Sequence, residues 1–233
     1  MSEGSPAADP DRGAIAAVIF DYGGVISARF LRDLHIFEDD MGYPRGSVEE
    51  LMFGPSAGTD GEAVHDFHRL ETGHLSLADY LRGLERRAPE VLGRPLDLEA
   101  YRAFAGASAV AVHWPVVHCI RRLQATPLRL ALLTNNVREF GDAWRATFPV
   151  EELFSTVVDS SAVGMRKPDP AIYAYTCNLL EVAPTAAVFL DDNDDNITAA
   201  AAMGLETVHV GVDPIVAIDE LDTILERRGI SSR

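Results

Sequence analysis

The amino-acid sequence predicts an α/β fold in which a parallel β-sheet carries helices on both faces. Five apolar runs of strand length recur along the chain, at residues 16–20, 129–133, 156–158, 187–190 and 206–210. All but the third are followed directly by a helical pattern, and strands that alternate with helices are typical of βαβ units. Asp169-Pro170 and Asp213-Pro214 mark two helix starts, because each places an N-cap before a proline at the first helical position.

The alternation of strands and helices stops between residues 29 and 106, where the sequence carries helix signals alone. Ser47-Val48-Glu49-Glu50 and Ser76-Leu77-Ala78-Asp79 have the pattern of capping boxes. We therefore expect a loose tail over residues 1–13, a core formed by residues 14–28 and 107–233, and an all-helical insert over residues 29–106. An insert that directly follows the first strand is placed to cover the adjoining end of the sheet and exclude water, as lids do.

The composition is typical of a soluble, acidic protein of a reducing compartment. With 233 residues, 47% of them hydrophobic, the chain can bury a full core, and its formal net charge is −16. So acidic a chain repels nucleic acid and anionic membrane surfaces, and we expect neither as a partner. Cys119 and Cys177 lack CxxC spacing, the N-terminus lacks a signal-peptide pattern, and the apolar stretches are too short to span a membrane. We expect a cytoplasmic protein that is a monomer or a homodimer.

Asp21 is the residue best placed for chemistry, because it ends the apolar run 16–20 and is followed by Tyr22-Gly23-Gly24-Val25. In an open parallel sheet ligands bind at the carboxyl ends of the strands, and glycines let the backbone turn and a substrate approach. Three later segments supply what such a carboxylate needs for phosphoryl transfer: Leu132-Leu133-Thr134-Asn135-Asn136, Arg166-Lys167-Pro168 and Leu190-Asp191-Asp192-Asn193.

Each of these segments also has an ordinary structural interpretation. Asp21 and Thr134 are residue types that cap helices at strand–helix turns, and Lys167 could be a surface lysine. Lys167, however, is the only lysine in the chain, beside 19 arginines. Asp191 and Asp192 would repel each other at the end of a sheet without a cation, which favours a metal site there.

In this order the four segments resemble the motifs of the haloacid dehalogenase-like hydrolase superfamily, over about residues 15–212, and the insert is similar to that superfamily's helical cap. The resemblance implies a Rossmann-like three-layer core, a covalent aspartyl intermediate and a magnesium ion. It makes Asp21 the nucleophile, which splits hydrolysis into two displacements. It makes Thr134 and Lys167 catalytic as well, and it assigns phosphate binding to Gly23, Gly24, Thr134, Asn135 and Lys167.

The same resemblance implies that Mg²⁺ is held by Asp21, the Gly23 carbonyl and Asp192. Asp191 and Asn196 would orient this loop without touching the metal. The two other carboxylates of the loop are expected to be solvated and not to coordinate, namely Asp194 and Asp195.

Gly23 departs from the pattern, because most phosphatases of this superfamily carry a second Asp there as general acid and base. Positioned proton transfer contributes typically about 10²–10⁴-fold to a rate. Three explanations are open. In the first, the leaving group is acidic enough to depart without a proton, as in a sugar 1-phosphate or acyl phosphate. In the second, a side chain of the cap donates the proton instead, and in the third the protein has lost enzymatic activity. The candidate donors in the cap are His65, His68, Glu71 and His74.

The sequence therefore predicts a Mg²⁺-dependent phosphatase that hydrolyses a small phosphorylated metabolite with a good leaving group. The alternative is a non-catalytic or regulatory binding protein that keeps the fold. A dehalogenase is less favoured, because that relative uses no metal and has neutral residues at the positions of Asp191 and Asp192. A Schiff-base phosphonate hydrolase needs a lysine that this cap lacks, and a mutase needs the acid–base group missing at Gly23.

Overall fold

The computed structural model describes residues 13–28, 34–54, 65–109 and 111–231. A five-stranded parallel sheet with the order β3-β2-β1-β4-β5 is formed by β1 (Ala17–Phe20), β2 (Arg129–Thr134), β3 (Thr156–Asp159), β4 (Ala187–Asp191) and β5 (Glu206–His209). Each strand begins and ends within one residue of the apolar run that predicted it, so the prediction of a parallel α/β sheet is confirmed. The expected tail, residues 1–13, lies outside the described residues except for Gly13.

The register of the sheet brings the carboxyl ends of the three central strands together. Phe20 in β1 lies opposite Leu132 in β2 and Leu190 in β4. The strands run in parallel, so the residues that follow these positions emerge at the same end of the sheet. Asp21, which follows β1, is therefore flanked by the segments that follow β2 and β4.

The described part of the insert is helical. It contains α1 (Leu34–Met41), α2 (Ser47–Phe53), α3 (Asp66–Glu71), α4 (Leu77–Val91) and α5 (Leu98–Ala109). Residues 29–33 and 55–64 of the expected cap lie outside the described residues. Buried side chains from all five helices form one apolar cluster, distinct from the clusters on the sheet. The helical character of the insert is as predicted, while its boundaries at residues 29 and 106 stay a prediction, and α5 continues to Ala109.

Helices cover both faces of the sheet and give the core three layers. Besides 3-10 turns at residues 138–140 and 184–186, the helices that follow the cap are α6 (Trp114–Leu123), α7 (Gly141–Arg145), α8 (Val150–Leu153), α9 (Ser160–Val163), α10 (Pro170–Leu180), α11 (Asp194–Ala202) and α12 (Pro214–Arg227). Side chains alternate along β1, so that Val18 and Phe20 pack with α6 and α12, while Ala17 and Ile19 pack with α10 and α11. Burial of each large apolar side chain contributes about 1.5–3 kcal/mol.

Of the two capping boxes expected in the helical insert, the one at Ser76 has the predicted N-cap. Ser76 accepts a hydrogen bond from the backbone N–H of Asp79 at 3.1 Å and so caps α4, as predicted. The prediction for Ser47 is wrong, because this residue lies inside the first turn of α2. Glu38 of α1 instead accepts bonds from two backbone N–H groups at this end, both at 2.8 Å. A carboxylate is a stronger acceptor than a hydroxyl, which explains why Glu38 takes this role.

The segment after β3 differs from the sequence prediction, which expected no helix directly after this strand. A one-turn helix, α9, begins directly after the strand, because Asp159 Oδ1 accepts the backbone N–H of Ser161 at 2.9 Å. The two predicted N-caps before proline are confirmed. Asp169 starts α10 and Asp213 starts α12, each accepting the N–H two residues on.

Cys119 and Cys177 are free thiols and both are buried. Among the described residues, none of the helices has the length and apolar composition needed to cross a membrane.

Candidate active site

Asp21 stands at the end of the central strand, where the chain turns sharply. Its backbone N–H donates to Leu190 O of β4 at 2.9 Å, and the residue is only 6% exposed. Tyr22 O accepts two backbone N–H groups of the following turn, and Gly24 has a φ of 73° that favours glycine. Gly23 has no such conformation, and a Cβ at this position would meet no atom of the described residues within 4 Å.

Lys167 joins the carboxylates of the site. The residue is 1% exposed. Its Nζ lies 2.8 Å from Asp21 Oδ1 and 2.7 Å from Asp191 Oδ2, and it donates to Leu133 O at 3.1 Å. Burial lowers the pKa of Lys167, but the charges of Asp191 and Asp21 outweigh burial and raise the pKa above its ordinary value. The ammonium is therefore held in its charged form, and the alternative interpretation as a surface lysine is wrong.

Asn135 holds the backbone of Lys167 through two reciprocal hydrogen bonds. Its Nδ2 donates to Lys167 O at 2.9 Å, and its Oδ1 accepts Lys167 N–H at 2.8 Å. Both polar atoms of the side chain are thus engaged with Lys167. The group of Asn135 that is left for an anion is its backbone N–H.

Thr134 lies at the last position of β2 and is 1% exposed. Its interpretation as a helix N-cap is wrong, since it belongs to the strand. The expectation that a helix N-terminus follows directly is also wrong, because α7 begins only at Gly141 and is five residues long. Between them, Asn136 Oδ1 accepts Val137 N–H at 2.7 Å, and the 3-10 turn at residues 138–140 follows. The hydroxyl of Thr134 lies at this end of the sheet and donates to Asn135 O at 3.4 Å.

Asp191 is completely buried and saturated with hydrogen bonds. Besides Lys167, it accepts bonds from the N–H of Asn193 at 2.8 Å and from Nδ2 of Asn196 at 3.0 Å. Asn193 in turn caps α11. Asp192 is half-buried beside this network, whereas the other two carboxylates of the loop are exposed, as expected for Asp194 and Asp195.

The carboxylates of this site fit a divalent cation such as magnesium. Asp21, Asp191 and Asp192 each offer an oxygen, and these oxygens all lie within 4.8 Å of one another. Three carboxylates here face one ammonium, that of Lys167. Burial raises the pKa of Asp21 well above its ordinary value, Lys167 lowers it, and the negative charges of Asp191 and Asp192 raise it further. A hard cation with oxygen ligands would remove that penalty on the ionised form.

The four candidate donors of the cap differ in their surroundings. Glu71 is 7% exposed, and its Oε2 lies 2.7 Å from Arg166 Nε. Burial, and then the charge of Arg166, lower the pKa of His68 from 6.5 to about 4. His65 caps α3, because its Nδ1 accepts Phe67 N–H at 3.2 Å. The fourth, His74, is exposed.

Sequence reasoning missed two residues that connect this site to the cap. Ser160 Oγ accepts the backbone N–H of Asn136 at 2.9 Å and donates to Glu71 O at 2.6 Å. Arg166 was part of a recognised segment but was given no role. The serine carries no signal in the sequence, since its partners are 24 and 89 residues away.

Comparisons with known proteins agree with this architecture. The family model for a haloacid dehalogenase-like hydrolase matches residues 15–204. Mouse acyl-CoA dehydrogenase family member 10 is 28% identical over 90% of this chain and 19% of its own length. Pig bifunctional epoxide hydrolase 2 is 26% identical over 91% of this chain and 39% of its own length. The chain thus spans less than half of either relative.

Two solved structures illustrate the likeness in fold. A HAD family enzyme from Bacteroides thetaiotaomicron, in complex with magnesium and inorganic phosphate, aligns with a TM-score of 0.61 at 21% identity, covering 86% of this chain and 97% of its own. An L-2-haloacid dehalogenase aligns with a TM-score of 0.65 at 18% identity, covering 92% and 100%.

Proposed function

Because this chain belongs to the haloacid dehalogenase-like hydrolase family, we propose that it is a magnesium-dependent phosphatase that hydrolyses a small phosphorylated metabolite. The observation that carries the proposal is the convergence of Asp21, Lys167, Asp191 and Asp192 at one end of the sheet. A lone structural carboxylate would not need a buried lysine and a second acidic pair beside it. The proposal includes a cytoplasmic location and a monomer or homodimer, without nucleic acid or membrane partners.

Asp21 would act as the nucleophile. Its Oδ1 accepts the N–H of Tyr22 at 2.6 Å and contacts Lys167 Nζ, and among the described residues no hydrogen bond reaches Oδ2. In the first displacement an Asp21 oxygen bonds to phosphorus while the bond from phosphorus to the leaving-group oxygen breaks. In the second displacement, water attacks phosphorus and the bond from phosphorus to the Asp21 oxygen breaks. This step releases inorganic phosphate, which keeps a proton of the water, and regenerates the carboxylate of Asp21.

The surrounding groups would bind and neutralise the phosphoryl group. The Thr134 hydroxyl and the Asn135 N–H are placed to donate to its oxygens, and the turn at Gly24 lets it come close to the backbone. Lys167 favours the ionised form of Asp21 and offsets negative charge. A magnesium ion held by Asp21, Asp192 and the Gly23 carbonyl would neutralise the phosphoryl oxygens, while Asp191 and Asn196 hold the loop in place.

The glycine at position 23 restricts the class of substrate. Where relatives of this type carry a second aspartate to protonate the leaving group, this chain has no side chain. The proposed substrate therefore has a leaving group that departs without a proton, as in an acyl phosphate or a sugar 1-phosphate, or else takes the proton from a cap side chain.

Some relatives have names that support phosphate chemistry. Phosphoglycolate phosphatase of Psychrobacter arcticus is 30% identical over 111 residues. Validoxylamine A 7'-phosphate phosphatase of Streptomyces hygroscopicus subsp. limoneus is 25% identical over 135 residues. These matches cover about half of this chain, and they bear on the reaction class more than on the substrate.

A phosphatase panel tests the proposal. We expect Mg²⁺-dependent release of inorganic phosphate from at least one acyl phosphate or sugar 1-phosphate, loss of that activity in EDTA, and its absence in Asp21→Asn. Asp194→Asn, at an exposed position of the neighbouring loop, is the control and should keep full activity. Silence of the wild type across the panel, together with tight binding of a ligand, would favour the non-catalytic alternative.

A further inference from the structure

The turn between α3 and α4 contacts loops that adjoin the candidate active site. Gly73 lies in this turn with a φ of +70°, and a Cβ there would lie 2.5 Å from Arg138 Nη2 and 2.7 Å from Ser161 O. Only glycine fits so close an approach of two backbones. A second contact lies at the start of α4, where Leu77 N–H donates to Oε1 of Glu139 in the core at 2.8 Å.

Glu71, the last residue of α3, is linked to two of the segments that carry groups of the site, the segment of Lys167 and the segment that follows Thr134. Its Oε2 lies 2.7 Å from Nε of Arg166, the residue bonded to Lys167. Its backbone O accepts Ser160 Oγ at 2.6 Å, and Ser160 Oγ in turn accepts Asn136 N–H at 2.9 Å. One cap residue therefore reaches the segment of Lys167 and the segment that follows Thr134.

The Glu71–Arg166 pair is well buried for an ion pair. The side chains of Glu71 and Arg166 are 9% and 21% exposed. Breaking such a pair from one side leaves a buried charge without its partner, which is strongly unfavourable. Val137, on the same loop as Asn136, also packs into the apolar cluster of the cap and is 8% exposed. The cap and this loop are thus joined by polar and apolar contacts.

We propose that Glu71 is a positioning residue through which the cap holds the Lys167 and Asn136 segments in their active arrangement. It acts through Arg166 and Ser160 and does not itself touch the reacting atoms. Docking of the cap and order in the two loops are then one event. A cap that moves away at Glu71 also releases Lys167 from its place between Asp21 and Asp191. Only the kinetic part of this inference rests on the proposed function.

Hydrogen–deuterium exchange of the full chain tests the proposal independently of activity. The probes are the amides of Asn136 and Lys167, which are bonded to Ser160 Oγ and Asn135 Oδ1. Glu71→Gln keeps the shape of the side chain and removes its charge. We expect exchange at Lys167 to rise about tenfold, as the loss of one charge-assisted hydrogen bond implies. Exchange at Asn136 should rise less, because Ser160 bonds to the backbone O of Glu71, which the variant keeps.

Glu139→Gln is the matched control, because Glu139 also joins core to cap, while its side chain bonds to Leu77 N–H and to neither Arg166 nor Ser160. Its exchange at both amides should equal that of the wild type. Arg166→Gln should reproduce the effect at Lys167 from the other side of the ion pair. The double variant should be no worse than either single one, since both remove the same interaction. Arg166→Gln also carries the test if Glu71→Gln fails to fold.

The proposal is overturned if Glu71→Gln exchanges like the wild type at both amides, or if Glu139→Gln accelerates them equally. On a substrate that the wild type hydrolyses, Glu71→Gln should lower kcat about tenfold with little change in KM. The variant disturbs the position of Lys167 at the reacting phosphoryl group, and it leaves the contacts with the rest of the substrate in place. A wild type without any phosphatase activity would refute the proposed function, and the exchange result would still decide the role of Glu71.

Discussion

Asp21 Oδ1 and Lys167 Nζ lie 2.8 Å apart in a site where Lys167 is 1% exposed. The contact joins the end of the first strand to a loop 146 residues later in the chain. Because the same ammonium also lies 2.7 Å from Asp191 Oδ2, it is the only cation among the described residues that contacts both carboxylates. The charge balance of the site therefore depends on one lysine.

Replacing Lys167 by Gln should destabilise the protein and make its stability depend strongly on Mg²⁺. Without the ammonium, two buried carboxylates face each other, and the loss of one partner of a buried pair costs about 3–5 kcal/mol. Urea unfolding in EDTA should show this loss in the free energy of unfolding. Added Mg²⁺ should recover more of it than it adds to the wild type, because bound ligand stabilises the folded state.

Arg122→Gln is the matched control for this experiment. Arg122 Nη2 lies 3.1 Å from Asp222, whose side chain is 5% exposed, at an ion pair between α6 and α12. This variant should lose stability by an amount that Mg²⁺ does not change. An equal response to Mg²⁺ in Lys167→Gln and in the wild type contradicts the account of the site.

Gly23→Asp should extend the enzyme to substrates with poor leaving groups. A side chain fits at this position, since a Cβ meets nothing within 4 Å and the backbone does not require glycine. A positioned acid should raise the rate on alkyl phosphates by roughly 10²-fold or more, with a smaller gain on acyl phosphates. Gly23→Ala, which adds a side chain without an acid, should show no gain. Equal rates for both variants on an alkyl phosphate would mean that proton donation is not what this position lacks.

His68 should make the protein less stable as the pH falls. Burial and Arg166 lower its pKa in the folded state from 6.5 to about 4. Between these two values the unfolded chain binds more protons than the folded one, so the free energy of unfolding falls as the pH drops through this window. His68→Gln should flatten this dependence between pH 6.5 and 4, measured by urea unfolding. A His68→Gln curve parallel to the wild type contradicts the prediction.

The strands and the main residues of the site could be predicted because their signals are local. Asp21, Thr134 and Asp191 each stand at the end of an apolar run, and parallel pairing brings such ends together. The single lysine was visible in the composition. Its ion pair with Asp191 was not predicted, because no spacing rule connects the two residues.

The cap contacts could not be predicted, because they join distant positions without a pattern. Glu71 meets Arg166 across 95 residues. The N-cap of α2 was mispredicted for a related reason. Ser47 fits the sequence pattern of a capping box, but Glu38 of the preceding helix accepts the N–H groups at this helix start. Asn135 was expected to bind phosphate, and the structure shows that its side chain binds the backbone of Lys167. In each case tertiary contacts override the local interpretation.

The position of oxygen from solvent distinguishes a phosphatase from a dehalogenase of the same fold. A phosphoaspartate is hydrolysed by attack of water on phosphorus, so the solvent oxygen enters the phosphate. An ester formed with a haloacid is hydrolysed at the carboxyl carbon of the aspartate, so the oxygen enters Asp21. In a single turnover with excess enzyme in water enriched in the heavy oxygen isotope, we expect labelled phosphate and unlabelled Asp21. Label in Asp21, with release of halide from a haloacid, would identify a dehalogenase.

Chemical trapping of the covalent intermediate tests the central claim most directly. Borohydride reduces an acyl phosphate, so a phosphorylated Asp21 would become homoserine, which mass spectrometry of the peptide containing residue 21 detects. With a turned-over substrate and Mg²⁺ we predict homoserine at position 21, and unmodified aspartate when either is omitted. Steady turnover without any homoserine at position 21, or with homoserine at another position, would contradict the assignment of Asp21 as the nucleophile.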